Sequence, residues 1–541
     1  MATSTGASAQ AGARIDPSTT KIHLVGGGIA SLAAAAFFIR DGDVLGHNIT
    51  VYEELATIGG SLDGSGSAKD GYVLRGGRMF ESKYVCTFAL FDSIPTLDAT
   101  QTVTAEILQW NKTLKTSSEA RLVRGGKRQT APAFGLSERH ILTIERLVIE
   151  PETMLNPTSI ADQFDAAFFA TDFWFMWCTT FAFQPWHSAG EFRRYLVRFA
   201  HMVAGFERLE GIMRTPYNQF DSLVRPLRAW LDARGVRFET ETRVTALDLV
   251  TRDGDVAVTR IVCERRGQAG EVAIGADDLV LVTLGSMTAA SSLGAMDRAP
   301  VLGGKADGGA WPLWERLARD RPAFGRPSVF SDRVEQSKWV SFTTTLHEPT
   351  LLRFVQDLTG NVPGEGGLIT FPDSGWLASI VIPYQPHFLG QPDDVAVFWG
   401  YGLSVDRPGD FVAKPMSACT GREIMTEVLG HLGVGADAAG ILNSCICIPC
   451  MMPFITSQFL TREAGDRPHV VPRDVHNLAF VGQFCEVPDD VVFTVEYSIR
   501  SAQMAVYALL GLQREPPPIY KGKFDPRVLL AAFMALHDIR A

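Results

Sequence analysis

The sequence predicts an α/β fold whose first domain is interrupted and later resumed, and three observations predict it. Residues 21–25 (KIHLV) form a short apolar β-run ending in Gly26-Gly27-Gly28, followed by an Ala-rich helical stretch at 29–40 and a second β-run at 48–52. Buried-type strands return much later, at 278–283 (DLVLVT) before Gly285-Ser286 and at 477–481 (NLAFV) before Gly482. Between them, residues 291–410 alternate short β-like runs with Pro/Gly turns, the pattern of an inserted mixed domain.

Each element has its own justification. Strand, Gly turn, helix, strand and then acid (Glu53, Glu54) is the βαβ order of a Rossmann-like dinucleotide-binding unit. Gly26 permits the tight turn. Gly28 lets backbone approach a pyrophosphate at the helix N-terminus, beside Ile29 and Ala30, where free N–H groups and the helix dipole favour an anion. Glu53 stands where it accepts from ribose hydroxyls. The third fingerprint position is Ser31, small but neither Gly nor Ala. The turns Gly59-Gly60-Ser61-Leu62 and Arg75-Gly76-Gly77-Arg78 read either as hairpin turns or as places where an extended cofactor lies close to backbone, with Arg78 pairing a phosphate. Residues 141–215 are largely helical and aromatic. The β-runs 235–238 and 242–249 follow, and a helix over 496–510 closes the domain.

Composition bounds the rest. The 541 residues are 46% hydrophobic and 20% charged, which is globular and long enough for several domains. A formal charge of −10 without a basic stripe argues against nucleic acid. Eight irregularly spaced cysteines do not make a disulfide scaffold, and Cys445, Cys447 and Cys450 read as small buried thiols rather than a metal site. Residues 1–20 lack an apolar signal core and are expected to be a disordered leader, so the protein is expected to be cytoplasmic. The apolar window 164–183 contains Asp165 and Asp172 and reads as a buried helix, not a membrane span. HExxH, GxSxG and Walker-type motifs do not occur.

The strings GGGIASLAAAAF, GGSLDG, RGGRMFE, FAFQPWHSAGEFRRYLVRF, YQPHF, PFITSQF and GQFCEVPDDVVFTVEYSIRSAQ together resemble the oleate hydratases, also called myosin-cross-reactive antigens, from about Lys21 to Leu510. The resemblance implies water addition across the cis double bond of an unsaturated fatty acid, with FAD bound but no net redox turnover. It implies a division into a leader (1–20), an FAD-binding domain (21–95, 222–290, 474–512), a substrate domain (96–140, 291–473), a helical region (141–221) and a C-terminal helical tail (513–541). Gly26, Gly28, Ile29, Ala30, Glu53, Glu54, Gly60, Ser61, Gly77, Arg78, Val244, Ser286, Gly482, Phe493 and Thr494 are the expected cofactor contacts.

The resemblance makes Tyr195 the proton donor to the alkene. A phenol with an ordinary pKa near 10 is a weak acid for this task, so the site must stabilise the developing cation. Many members carry a Glu directly after RGGR, where this chain has Met79, and a thioether cannot accept a proton. Either Glu81 holds the water or the cation captures neutral water without a strong base. The substrate carboxylate is expected near Gln385 and His387, with Val381 and Pro383 standing where Thr and Asn are usual, and with Thr456 and Ser457 from the PFITSQF string. His387 read alone is equally a structural histidine. Both monomer and homodimer stay open. The segment 519–540 leads from Lys521, Lys523 and Arg527 into an apolar helix, which reads either as packed on the protein or as peripheral to a membrane's inner face. A flavin oxidoreductase and a non-catalytic fatty-acid or flavin binder remain the competing functions.

Overall fold

The computed structural model describes residues 15–77, 79–129, 133–252 and 254–538. Among them, strands β1 (Ile22–Val25), β2 (Ile49–Tyr52), β3 (Arg237–Glu239), β4 (Leu279–Thr283) and β5 (Leu478–Val481) form one parallel sheet in the order β5-β4-β1-β2-β3. Ile22 lies opposite both Leu279 and Ile49, so segments more than 200 residues apart complete one sheet. Strands β1, β2, β4 and β5 are mostly apolar and buried because a parallel sheet is covered on both faces, whereas the edge strand β3 (Arg-Phe-Glu) is partly exposed. Helix α1 (Ile29–Gly42) is buried at every position from Ile29 to Phe38. Its alanines let it pack closely on the helix that closes the domain, Val495–Leu509.

A second sheet gathers strands at Ser292–Leu293, Cys445–Met452, Trp339–Leu346, Ala396–Gly402, Ala378–Val381, Leu368–Thr370, Leu122–Arg124 and Lys127–Gln129, in that order. Thr370 pairs with Leu122, which joins the two expected parts of the substrate domain. The first segment reaches this sheet as well: the N–H groups of Tyr72 and Leu74 donate to the hydroxyls of Thr345 and Thr343, each at 2.9 Å. A three-stranded antiparallel sheet, Thr242–Arg252, Asp255–Arg265 and Gln268–Ala273, extends the expected β-run 242–249 into a meander.

Two expectations need correction. Residues 15–20 do not belong to a structureless leader: Thr19 and Thr20 donate to the Asp16 carbonyl, and Leu45 donates to that of Pro17, because Thr20 is drawn into the core. Residues 1–14 lie outside the described residues. The window 164–183 is not one helix but a 3-10 turn, Phe168–Ala170, followed by a helix, Asp172–Phe181. Thr171 separates them and caps the second by accepting from the Trp174 N–H. Cys445 and Cys447 share one face of a strand and Cys450 faces the other, all three buried.

Charge is buried where helix α2 (Ala189–Arg198) meets the loop after β5. Glu191, Arg194 and Arg198 recur at helical spacing, and all are buried. Glu191 binds Arg467 at 2.8 Å and Arg462 at 3.1 Å. Glu486 binds Arg194 and also Arg462 at 3.4 Å. Burial opposes ionisation of Glu486, but the three arginines Arg194, Arg462 and Arg467 outweigh it and hold its pKa down at about 2. A depressed carboxylate stabilises fully above its unfolded value and loses that contribution as pH falls through its folded one. The thermal midpoint is therefore expected to drop between about pH 4.5 and 2. Glu486→Gln is expected to cost about 3–5 kcal/mol at neutral pH, read by urea unfolding, and to flatten this acid limb.

Candidate functional site

The carboxyl ends of the parallel strands open onto a groove enclosing about 1460 Å³ of space free of protein atoms, lined by residues of all the predicted nucleotide turns. Gly26 follows β1 with φ +95°, which an L side chain rarely adopts. The Gly27 N–H donates to Glu53 Oε2 at 2.6 Å, and a Cβ there would sit 2.9 Å from that oxygen. The second Gly turn stacks on the first: Gly59 N–H donates to the Gly27 carbonyl, and a Cβ on Gly60 would lie 3.0 Å from Gly28 Cα. The two turns thus form a cradle of bare backbone. Helix α1 starts at this cradle from Gly28 with no side-chain cap, leaving its first N–H groups to a ligand.

Gly26, Gly28, Ile29, Ala30, Glu53, Glu54, Gly60, Ser61, Val244, Ser286 and Gly482 all line the groove. Glu53 accepts from the N–H groups of Gly27 and Leu55, and burial raises its pKa despite them. Glu54 is engaged by the Gly309 N–H at 2.8 Å and by Arg243 at 3.1 Å. Arg78 lies outside the described residues. Its neighbour Arg75 lines the groove and braces the Gly60 turn, donating to the Gly60 carbonyl at 2.8 Å and to Asp63 at 2.9 Å.

Beside the groove lies an apolar cavity of about 1120 Å³, walled by residues including Leu62, Leu74, Trp339, Leu368 and Trp399. Trp110 and Tyr384 meet edge to face at 4.9 Å on its rim, where Tyr384 is 39% exposed. Gly77, Met79, Thr180, Gln219 and Phe493 line both this cavity and an inner chamber of about 620 Å³, which holds Tyr195. Gly77, Phe493 and Thr494, expected as cofactor contacts, line these chambers and not the groove. Thr494 also caps the helix Val495–Leu509 by accepting from the Tyr497 N–H.

Tyr195 is 1% exposed, ringed by Phe181 and Phe183 at 5.0 Å and Phe199 at 5.4 Å, and its hydroxyl donates to the Val492 carbonyl at 2.6 Å. Met79 faces the same chamber. Glu81 also lines it, but its carboxylate is committed: Arg198 donates at 2.7 Å, the Lys83 N–H at 2.6 Å, and His201 lies at 3.3 Å. Burial raises its pKa, yet His201 and Arg198 hold it below the ordinary range.

Of the expected head-group residues, Val381, Pro383 and His387 line the cavity. Gln385, Thr456 and Ser457 do not line it. The Gln385 amide bonds the Pro383 and Val397 carbonyls and the Val397 N–H, so it braces the loop. Thr456 donates to the Ser337 carbonyl and Ser457 is wholly buried, because the PFITSQF turn packs under the aromatic cluster. Sequence reasoning missed Arg214, Asn218 and Gln219, which also line the cavity. Both polar atoms of the buried Gln219 amide lack a partner among the described residues, at the junction with the inner chamber. Their signal was a polar run (RTPYNQ) inside an apolar stretch.

A family model described as the MCRA family matches residues 19–507. An oleate hydratase of Streptococcus pyogenes serotype M49 (strain NZ131) is 39% identical over 535 residues, 96% of this chain and 90% of the relative. A linoleate hydratase of Lactiplantibacillus plantarum is 32% identical over 570 residues, 96% of this chain and 99% of the relative. Among solved structures, a cyclohexylamine oxidase from Brevibacterium oxydans IH-35A superposes with a TM-score of 0.52 at 12% identity, covering 92% of this chain and 100% of that one. An oxidoreductase from Methanosarcina mazei does so with a TM-score of 0.51 at 14% identity, covering 89% and 99%. These two share the overall fold. The sequence match spans the cradle, the tyrosine helix and the closing helix alike, and the chain belongs to the MCRA family.

Proposed function

We propose that the protein is a hydratase that adds water across the cis double bond of an unsaturated fatty acid, oleate giving 10-hydroxystearate, with FAD bound and no net redox change. The observation that carries this is the enclosed Tyr195 hydroxyl in a chamber continuous with a long apolar cavity. The bare-backbone cradle and Glu53 fit a dinucleotide, and Gly26, Gly28, Gly60 and Glu53 would hold FAD through its phosphates and ribose. When bound, the flavin supplies a polar, fixed wall to the site rather than an electron.

Tyr195 gives its proton to one alkene carbon, the π electrons form the new C–H bond, and positive charge develops on the neighbouring carbon. The rings around the chamber exclude bulk water and offer negative faces to that charge. One water adds its oxygen there, and its surplus proton returns to the phenolate. Met79 cannot take that proton, and Glu81 is held by Arg198, so the water adds without a strong base.

Incubation with FAD and oleate in oxygen-18 water is expected to yield labelled hydroxy acid without lasting flavin bleaching. Unlabelled lipid with bleached flavin would favour the oxidoreductase reading. Tyr195→Phe is expected to lower turnover by about 100-fold or more while oleate still binds. Glu81→Gln is expected to lower thermal stability but to keep turnover per flavin-loaded molecule within about tenfold. An inactive, stable, flavin-loaded Glu81→Gln would make Glu81 the base.

Peripheral membrane contact belongs to the same reading. The helix Pro526–Leu536 packs on residues 200–208 and leaves Leu529, Leu530 and Phe533 exposed, with Phe524 73% exposed beside Lys523. No helix among the described residues is long and apolar enough to cross a membrane. Flotation with anionic vesicles is expected to carry the protein, and Leu530→Glu with Phe533→Glu to release it without loss of hydration of dispersed oleate.

A further inference from the structure

Arg214 lines the cavity with no carboxylate partner among the described residues. Its Nε and Nη2 atoms are shielded from water and have no hydrogen-bond partner among the described residues. Asp63 is the one carboxylate in the cavity lining among the described residues, and it is already bonded to Arg75. A guanidinium left in this state is costly unless a ligand supplies the missing charge.

Its placement is built. The Arg214 N–H donates to Asn111 Oδ1 at 2.9 Å, and Asn111 Nδ2 donates back to the Arg214 carbonyl at 2.7 Å. Gly367 leaves room for the guanidinium: a Cβ there would lie 3.1 Å from Nη2. The next residue, Leu368, is the strand partner of Val381. Arg214 therefore reaches the ends of the paired strands Leu368–Thr370 and Ala378–Val381, where Val381 and Pro383 line the cavity and offer no side-chain hydrogen bond of their own. His387 lines the same end, and burial, reinforced by the charge of Arg214, pushes its pKa down to about 3, so its imidazole is neutral. Burial alone lowers Arg214, to about 10, which leaves it charged at neutral pH.

We propose that Arg214 is the counter-ion for the carboxylate of a long-chain fatty acid, with His387 beside it at the same end of the cavity. This rests on the hydratase reading for the identity of the chain, but not for the preference for an anion. A guanidinium offers a carboxylate both charge and N–H donors, and neither an ester nor an alcohol supplies the complementary charge. Anchored there, the acyl chain runs along the apolar wall past Met79 and Gln219 towards Tyr195.

The test compares oleate, methyl oleate and oleyl alcohol on the flavin-loaded wild type, Arg214→Met and Arg214→Lys. Arg214→Met is expected to raise the KM for oleate by about 10- to 100-fold, to change kcat less, and to leave methyl oleate unaffected. Arg214→Lys is expected to recover part of the acid preference. Calorimetric binding to Tyr195→Phe, with and without Arg214→Met, reads the same preference without turnover. An Arg214→Met protein with wild-type flavin content and melting that keeps its oleate KM and acid-over-ester preference would overturn the proposal. So would a wild type that binds oleate and oleyl alcohol equally, which decides the matter should Arg214→Met not fold. A wild type that prefers the acid in binding yet hydrates no unsaturated acid would sink the hydratase reading and leave the Arg214 assignment standing.

Discussion

The placement of Tyr195 depends on a buried cation three residues further along its helix. Arg198 lies between Glu81 at 2.7 Å and Asp490 at 3.5 Å, all three nearly inaccessible. Asp490 also accepts from Arg500 at 3.0 Å, and Arg500 binds Glu496 at 3.0 Å. Glu496 in turn accepts the N–H groups of Cys86 and Thr87 at the start of the helix Val85–Phe91. One chain of alternating charges therefore ties the tyrosine helix to the first segment and to the closing helix of the nucleotide domain. Such a network adds little net stability over apolar packing, yet removing one member leaves an uncompensated charge. Its value here is positional: it sets the helix, and the Val492 carbonyl, two residues past Asp490, receives the Tyr195 hydroxyl.

The same network limits the chemistry. A carboxylate that already receives Arg198 and the Lys83 N–H is a poor base, because protonating it would strand the arginine. With Met79 beside it, the chamber offers a proton donor, aromatic faces and exclusion of water, and these suit a reaction whose hard step is making a cation. The nucleophile then needs position more than activation.

What was legible in the sequence was what is local. The βαβ unit, its Gly turns and the returning strands announce themselves by period and by residue type, and all close onto one groove because parallel strands present their carboxyl ends together. That Tyr195 would face an enclosed chamber was suggested only by its surrounding string, since a tyrosine on an amphipathic helix carries no signal of its own. Gln385, Thr456 and Ser457 sit in equally distinctive strings but face inward as braces, and a string does not say which way a side chain turns. Arg214 and Gln219 were missed for the opposite reason. Arg214 lies where residues 111, 214 and 367 converge and Gln219 where two pockets meet, and neither periodicity nor spacing records such meetings.

On the proposed assignment, that convergence also orients the substrate. The outer cavity holds Arg214, His387, Asn218 and Thr215, whereas the Tyr195 chamber is faced by Phe80, Phe181, Phe199 and Ile212. An amphiphile entering head first with its charge unpaired in the aromatic end would leave two ions without partners, its own carboxylate and Arg214. Entering the other way satisfies both and buries the hydrocarbon, so desolvation alone selects one direction. The distance from guanidinium to phenol then acts as a ruler along the chain, and whichever double bond falls at the phenol is the one presented to the proton. On that assignment regiochemistry is set by the head-group anchor rather than by any residue that touches the alkene.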